Sequence, residues 1–232
     1  IIGNEGTLCY ITEVTVKLFP FFPDNNIFMG WVRDSMKTGF EVLREVMVAG
    51  YKPSVARLYD PEDGAYYFSH FSNNRCALLF MTEGQKAISE ATANGIKEIV
   101  AKRPECEAVD PMYIQRWFEN LNWNPAKVQE ERDEIAQTQN IGHTTEVSIQ
   151  WSEIADLYET VMKRVKSEIP DLTMMGGHSS HSYMNGTNIY FMYYYNLVDV
   201  KPEEEISKYH NPIMTIVVEE TLKRGGSMCH HH

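Results

Sequence analysis

The sequence predicts an α+β fold, an antiparallel β-sheet with helices on one face. Two features predict it. Short β-branched or aromatic runs alternate with stretches whose apolar residues recur at helical spacing. A hairpin signal, Asn185-Gly186, then separates two such runs late in the chain. The 232 residues are 43% hydrophobic and 12% aromatic. That is enough for a core in one large domain or two small ones.

Residues 7–18 alternate Ile11, Val14, Val16 and Leu18 with Thr, Glu and Lys, which reads as a strand or strand pair. Pro20, Pro23 and Asp24 break the pattern and mark a domain boundary. Residues 26–32 form a second strand, with Ile27, Met29 and Trp31 on one face. Asp34 or Ser35 caps a helix running to about Ala49, with Phe40, Leu43, Val46 and Met47 as its apolar stripe. Gly50 ends that helix. Residues 53–59 are a third strand, where Val55 alternates with Arg57; 61–72 form a short helix or loop. Residues 75–82 are apolar enough for a strand buried on both faces, and 84–102 form an amphipathic helix.

Residues 110–139 are helical, charged and interrupted at Pro125; their acids (Glu119, Glu130, Glu131, Asp133, Glu134) read as a solvated face. Residues 145–149 are a strand, with 140–144 its connector or its start. A helix opens at Trp151-Ser152, runs through Ile154, Leu157, Val161 and Val165, and ends at Pro170. Residues 172–183 and 187–197 are the hairpin strands, and Gly176-Gly177 marks a bulge or close approach to a ligand. Residues 203–223 form a last helix, disturbed by Pro212.

The formal charge of −11, from 21 Lys and Arg against 32 Asp and Glu, would repel phosphate backbones. Nucleic acid and anionic membranes are therefore disfavoured as partners, while a local basic pocket for a small anion is allowed. Cys9, Cys76, Cys106 and Cys229 lack CxxC spacing and read as reduced, mostly buried thiols. No apolar run reaches the ~20 residues of a membrane helix, and no signal peptide is expected. A cytoplasmic protein is expected. The chain opens without Met on Ile1-Ile2-Gly3 and ends at His232, which reads as part of a longer protein.

Four groups of residues can carry chemistry. Gly3-Asn4-Glu5-Gly6-Thr7-Leu8 has two glycines three apart, which let backbone approach a ligand, although an ordinary turn before a strand explains them as well. Arg57, mid-strand among apolar neighbours, needs an anion. That anion is a structural partner such as Asp60 or Glu83, or a substrate carboxylate or phosphate, which the planar guanidinium suits. His178, His181 and Tyr183 lie at alternate or near-alternate positions, and an imidazole beside a phenol makes a proton relay; a solvated strand face is the plainer reading. His230, His231 and His232 close the chain as native sequence or as a purification tag. Tyr193-Tyr194-Tyr195 reads as core and sheet surface.

In this order the pieces resemble flavin-linked oxidases of the vanillyl-alcohol oxidase superfamily. Gly3-Asn4-Glu5-Gly6-Thr7-Leu8 followed by Ile11-Thr12-Glu13-Val14-Thr15-Val16-Lys17-Leu18 is similar to the segment that ends their FAD-binding domain, with Cys9 and Tyr10 replacing a Gly-Ile pair. Within the superfamily the chain resembles the alkyldihydroxyacetonephosphate synthases. The similarity is carried by Lys52–Leu58, Thr145–Trp151, Ser182-Tyr183-Met184-Asn185-Gly186 with Ile189-Tyr190-Phe191, and Gly225–His232. The last of these favours native histidines over a tag. His178 stands where the synthases have an arginine. Gly177-His178 is similar to the start of a metal-type motif of glycolate and D-lactate dehydrogenases, but Ile189 and Tyr190 replace its second histidine, so no metal is expected.

The resemblance implies a two-domain enzyme of the synthase type, which exchanges an acyl for an alkoxy group, with FAD as cofactor and a cap of ferredoxin-like topology. Residues 1–20 would be the tail of the FAD-binding domain and 21–232 the substrate-binding cap, with the bulk of the FAD-binding domain outside this chain as its partner. Gly3, Asn4, Glu5, Gly6, Thr7 and Ile11 would lie against FAD. Tyr183 would move the proton, and His230, His231 and His232 would position and polarise substrate. Arg57 would hold an anionic group or orient the flavin, with His178 and His181 beside the substrate. That substrate would be a small anion, a hydroxy acid or a phosphate ester; a homodimer is compatible with the resemblance. Two alternatives stay open: a plain FAD-dependent dehydrogenase of a 2-hydroxy acid or alcohol, and a non-catalytic cap module.

Overall fold

The computed structural model describes residues 6–228. Its elements run β1 (Ile27–Arg33), α1 (Met36–Val48), β2 (Val55–Tyr59), α2 (Pro61–Ser72), β3 (Cys76–Thr82), α3 (Lys86–Ala101) and β4 (Glu107–Ala108). Then come α4 (Pro111–Glu119), α5 (Pro125–Thr138), β5 (Asn140–Gln150), α6 (Ile154–Glu168), β6 (Leu172–Ser179), β7 (Gly186–Asn196), α7 (Pro202–Glu205) and α8 (Asn211–Lys223). The seven strands form one antiparallel sheet in the order β4-β1-β3-β2-β6-β7-β5.

That order contains a repeat. In β1-α1-β2-β3-α3-β4 the strands lie 4-1-3-2, the ferredoxin-like arrangement. The second half copies it as β5-α6-β6-β7-α8, with Ser227 bridging Ser148 on the free edge of β5 in place of a fourth strand. The halves join through β2 and β6, which share only the pairs Leu58↔Ser179 and Tyr59↔His178.

Helices α1, α3, α6 and α8 cover one face, and their buried residues form one cluster with those of the strands beneath. On α1, Met36, Phe40, Leu43 and Val46 follow the helical period and are buried. Burial of each such side chain contributes about 1.5–3 kcal/mol. Gly39 brings α1 close to β2, because a Cβ there would lie 2.4 Å from Leu58 Cδ1. On the opposite face a smaller cluster joins Phe68 of α2 and Ile114 and Trp117 of α4 to Tyr59, Ala77 and Leu79. Helices therefore occupy both faces at the β1-β3-β2 end, more than the one-sided layering expected. Helix α5 has no buried residue, as its acidic composition requires.

Several local expectations are corrected. Residues 9–20 form no strand and are exposed apart from half-buried Cys9; their alternation meets no neighbouring strand, and an unpaired ladder has nothing to fix it. Asn185-Gly186 is not a two-residue turn: β7 begins at Gly186, and residues 180–185 form the loop. Gly186 is needed for close packing, since a Cβ there would lie 2.2 Å from the carbonyl oxygen of Ile149. Gly176-Gly177 carries no bulge; the register shift falls between Leu172 and Met174. The last helix splits because Pro212 has no N–H, and residues 206–210 widen into a π-turn before α8. Cys9, Cys76 and Cys106 are free thiols; burial pushes Cys76 up to about 12. No helix among the described residues is long and apolar enough to cross a membrane.

Candidate active site

The sheet's pleat decides which residues meet at the uncovered end. Along β7, Ile189, Phe191 and Tyr193 point into the main core, so Asn188 and Tyr190 face the other way. Tyr59, His178, Tyr190 and Glu146 are successive ladder partners across β2, β6, β7 and β5. The result is a transverse row of four titratable side chains, running from the seam between the two halves to the far edge.

The row is tightly packed. The His178 ring stacks on Tyr59 at 4.8 Å and 24°, and on Tyr190 at 4.8 Å and 22°. Arg57 Nη1 donates to the Tyr59 hydroxyl at 2.9 Å, and its guanidinium lies 5.4 Å over the Trp117 ring. Burial pushes Tyr59 up to about 12, with Arg57 pulling the other way. Burial also raises Tyr190, and the carboxylate of Glu146, hydrogen-bonded to its hydroxyl, raises it further. Arg57 and Tyr183 are both close enough to Tyr190 to act on it electrostatically.

The N-terminus of α2 closes the row from above. Asp60 caps this helix, its Oδ1 accepting from the Asp63 amide at 2.8 Å, with Pro61 at the first helical position. Asp60 Oδ2 also accepts from the Gly177 amide and the Tyr158 hydroxyl, each at 2.7 Å. One carboxylate thus ties β2, α2, β6 and α6 together. Gly176 is required beneath it, because a Cβ would lie 2.7 Å from the Asp63 amide nitrogen. One turn into α2, Asp63 Oδ2 lies 2.6 Å from His178 Nδ1.

The loop after β6 completes the face. Asn188 Oδ1 accepts from the amides of Ser180 and His181 at 3.0 and 2.8 Å. Its Nδ2 donates to Glu146 Oε1 at 2.5 Å and lies 3.2 Å from His181 Nδ1. Tyr183 is 49% exposed; its amide donates to the Gly186 carbonyl, and the Trp151 indole donates to the Tyr183 carbonyl.

Arg57, His178, His181 and Tyr183, singled out from the sequence, therefore lie around one sheet face. Their roles differ from the spacing argument in two respects. Arg57 pairs with neither Asp60 nor Glu83; its described partners are a phenol and an indole. His181 and Tyr183 lie in the loop, since β6 ends at Ser179. Gly3, Asn4, Glu5, His230, His231 and His232 lie outside the described residues. The chain does run alongside β5 at Ser227, opposite Ser148, two residues from Glu146. Sequence reasoning missed Tyr59, Asp63, Glu146, Asn188 and Tyr190. The Asp-Pro-x-Asp start of α2 was a readable cap signal; the others needed the register.

Among solved structures, an alkyldihydroxyacetonephosphate synthase superposes with a TM-score of 0.70 at 16% identity, over 88% of this chain and 41% of that one. The isoeugenol complex of 4-ethylphenol oxidase from Gulosibacter chungangensis gives 0.65 at 8% identity, over 93% of this chain and 47% of that one. These likenesses show the fold. Residues 22–232 match the family described as FAD linked oxidases, C-terminal domain, and the chain belongs to that family. It is 60% identical to the FAD-linked oxidoreductase YgcU of Escherichia coli K12, over all of this chain and 49% of that protein. It is 21% identical to the alkyldihydroxyacetonephosphate synthase of Caenorhabditis elegans, over all of this chain and 42% of that protein. The chain thus spans about half the length of the curated relatives it matches.

FAD is the cofactor of this family, and of the positions expected to lie against it, Gly6, Thr7 and Ile11 are open to an approaching group. Gly6 has φ +75° with nothing within 4 Å of a built Cβ, so its backbone can be approached closely. Thr7 and Ile11 are exposed.

Proposed function

We propose that this chain is the substrate-facing domain of an FAD-dependent enzyme that oxidises a small, anionic, hydroxyl-bearing molecule such as a 2-hydroxy acid. The observation that carries this reading is the Tyr59-His178-Tyr190-Glu146 row, buried under α2 at Tyr59 and half-exposed at Tyr190 and Glu146. It offers proton-accepting and hydrogen-bonding groups on a rigid strand support, with Arg57 as the cation within reach. FAD, when bound, supplies the electron acceptor. Arg57 holds the substrate's anionic group, His181 and Asn188 orient its polar atoms, and the Tyr183 phenol hydrogen-bonds to its hydroxyl oxygen. Residues 1–20 belong to the FAD-binding domain, and His230, His231 and His232 position and polarise the substrate.

Alkyl exchange of the synthase type is the second reading, favoured by Tyr183 in its Ser-Tyr-Met-Asn-Gly setting. It is weaker because His178, at the synthase arginine's position, is engaged by Asp63 and cannot grip a phosphate as a guanidinium fork does. Anaerobic mixing of the full-length flavoprotein with 2-hydroxy acids separates the two. Bleaching of the flavin band is expected. Alkyl exchange without bleaching would replace this reading with the synthase one.

A further inference from the structure

We infer that Asp63 and His178 form an acid–base pair in which His178 Nε2 takes the proton from a substrate hydroxyl, with Asp63 as its positioning residue. The inference rests on the proposed use of this face for substrate. Asp63 is 4% exposed, and its Oδ2 lies 2.6 Å from Nδ1. An ionised carboxylate only accepts hydrogen bonds, so Nδ1 carries the ring proton and Nε2 keeps its lone pair. The stacked rings of Tyr59 and Tyr190 stop the imidazole from turning. Among the described residues, Nε2 has no hydrogen-bond partner.

The surrounding charges leave that role to this pair. From β2, Arg57 is engaged with Tyr59. From α2, Asp60 is engaged with Tyr158 and Gly177. From β5, Glu146 accepts from Asn188 and is hydrogen-bonded to Tyr190 on β7. His181, from the loop, contacts Asn188 and Ser180. Asp63 is thus the carboxylate that touches His178. In the step itself the substrate O–H bond breaks, an Nε2–H bond forms, and the electron pair stays on the substrate oxygen. The new imidazolium lies against the Asp63 carboxylate, which stabilises it without taking the proton.

The test uses the full-length flavoprotein with 15N-labelled histidine. The His178 signals, assigned by loss in His178→Gln, should show the Nδ1-protonated tautomer in wild type and lose that preference in Asp63→Asn. In anaerobic mixing with glycolate or D-lactate, His178→Gln should slow flavin bleaching by about 100-fold or more with flavin content unchanged. His178→Ala should be partly rescued by added imidazole, and Asp63→Asn should change the shape of the pH–rate profile. An Nε2-protonated His178 in wild type overturns the inference. So does His178→Gln bleaching within about threefold of wild type. A wild type that holds flavin but is bleached by no 2-hydroxy acid overturns the substrate reading and this step with it. Normal wild-type bleaching with unaffected variants overturns this step alone.

Discussion

Asp60 sits where its charge is expensive and its hydrogen bonds are good. Burial pushes its carboxyl up to about 7, although the donors from Asp63, Tyr158 and Gly177 all favour the ionised form. Its folded value therefore lies above the ~3.9 of an unfolded aspartate. Its contribution to stability is complete below about pH 4 and is lost as the pH rises through about 7. Replacing it with Ala removes a helix cap and strands two buried donors, a loss of about 2–4 kcal/mol. Urea unfolding should show that gap at pH 5 and a smaller one at pH 8; a gap that widens with pH would mean that Asp60 is ionised throughout. Tyr183 is the residue-scale test of the site. Tyr183→Phe should keep its flavin and slow substrate-driven bleaching about 100-fold, and unchanged turnover would remove the phenol from the chemistry.

Elements were legible in the sequence where periodicity and burial agree. The stripes of α1, α3 and α6 and the apolar run of β3 follow from residue spacing alone, and each is buried as that spacing requires. Residues 9–20 have the same alternation without a ladder to join, so pattern alone misled. The site was half legible. Arg57, His178 and Tyr183 stand out as polar groups in strand-like settings. Asp63 and Tyr190 look ordinary until α2 docks on β6 and the register aligns four strands. That docking is tight, and Gly176→Ala should cost about 1–3 kcal/mol in urea unfolding, because the obstructing atom is backbone. A second inter-element tie joins α6 to α8 through Glu220, which accepts from Arg164, Lys223 and Arg224. The Lys223 and Arg224 hydrogen bonds, with that of Arg164, hold it down at about 2. The contribution is present above the unfolded value of ~4.3 and lost as pH falls toward 2. Glu220→Gln should therefore lower the unfolding temperature more at pH 7 than at pH 3.

For the whole molecule, the two ferredoxin-like halves share topology without a visible sequence repeat. Strand order depends on which backbones pair, and many side-chain sets satisfy that pairing. The halves meet at β2 and β6 through two residue pairs, a thin seam for a seven-stranded sheet. The candidate site lies across that seam, with Tyr59 from one half and His178 from the other. What holds the halves in register is the main core beneath them. It runs without a break from Phe40 and Leu58 in the first half to Leu157 and Phe191 in the second. The Asp60–Tyr158 hydrogen bond and the Phe40–Tyr158 edge contact at 6.5 Å cross the same line. A core shared in this way makes the halves unfold together. Urea unfolding of this chain should give one transition, coincident by far-ultraviolet circular dichroism and by tryptophan fluorescence. Trp31, Trp117 and Trp123 report the first half and its helices, and Trp151 the second. Fluorescence lost at a lower urea concentration than helicity would show that the seam parts first. The site would then be assembled by docking of two separately stable units, and not preorganised by one core.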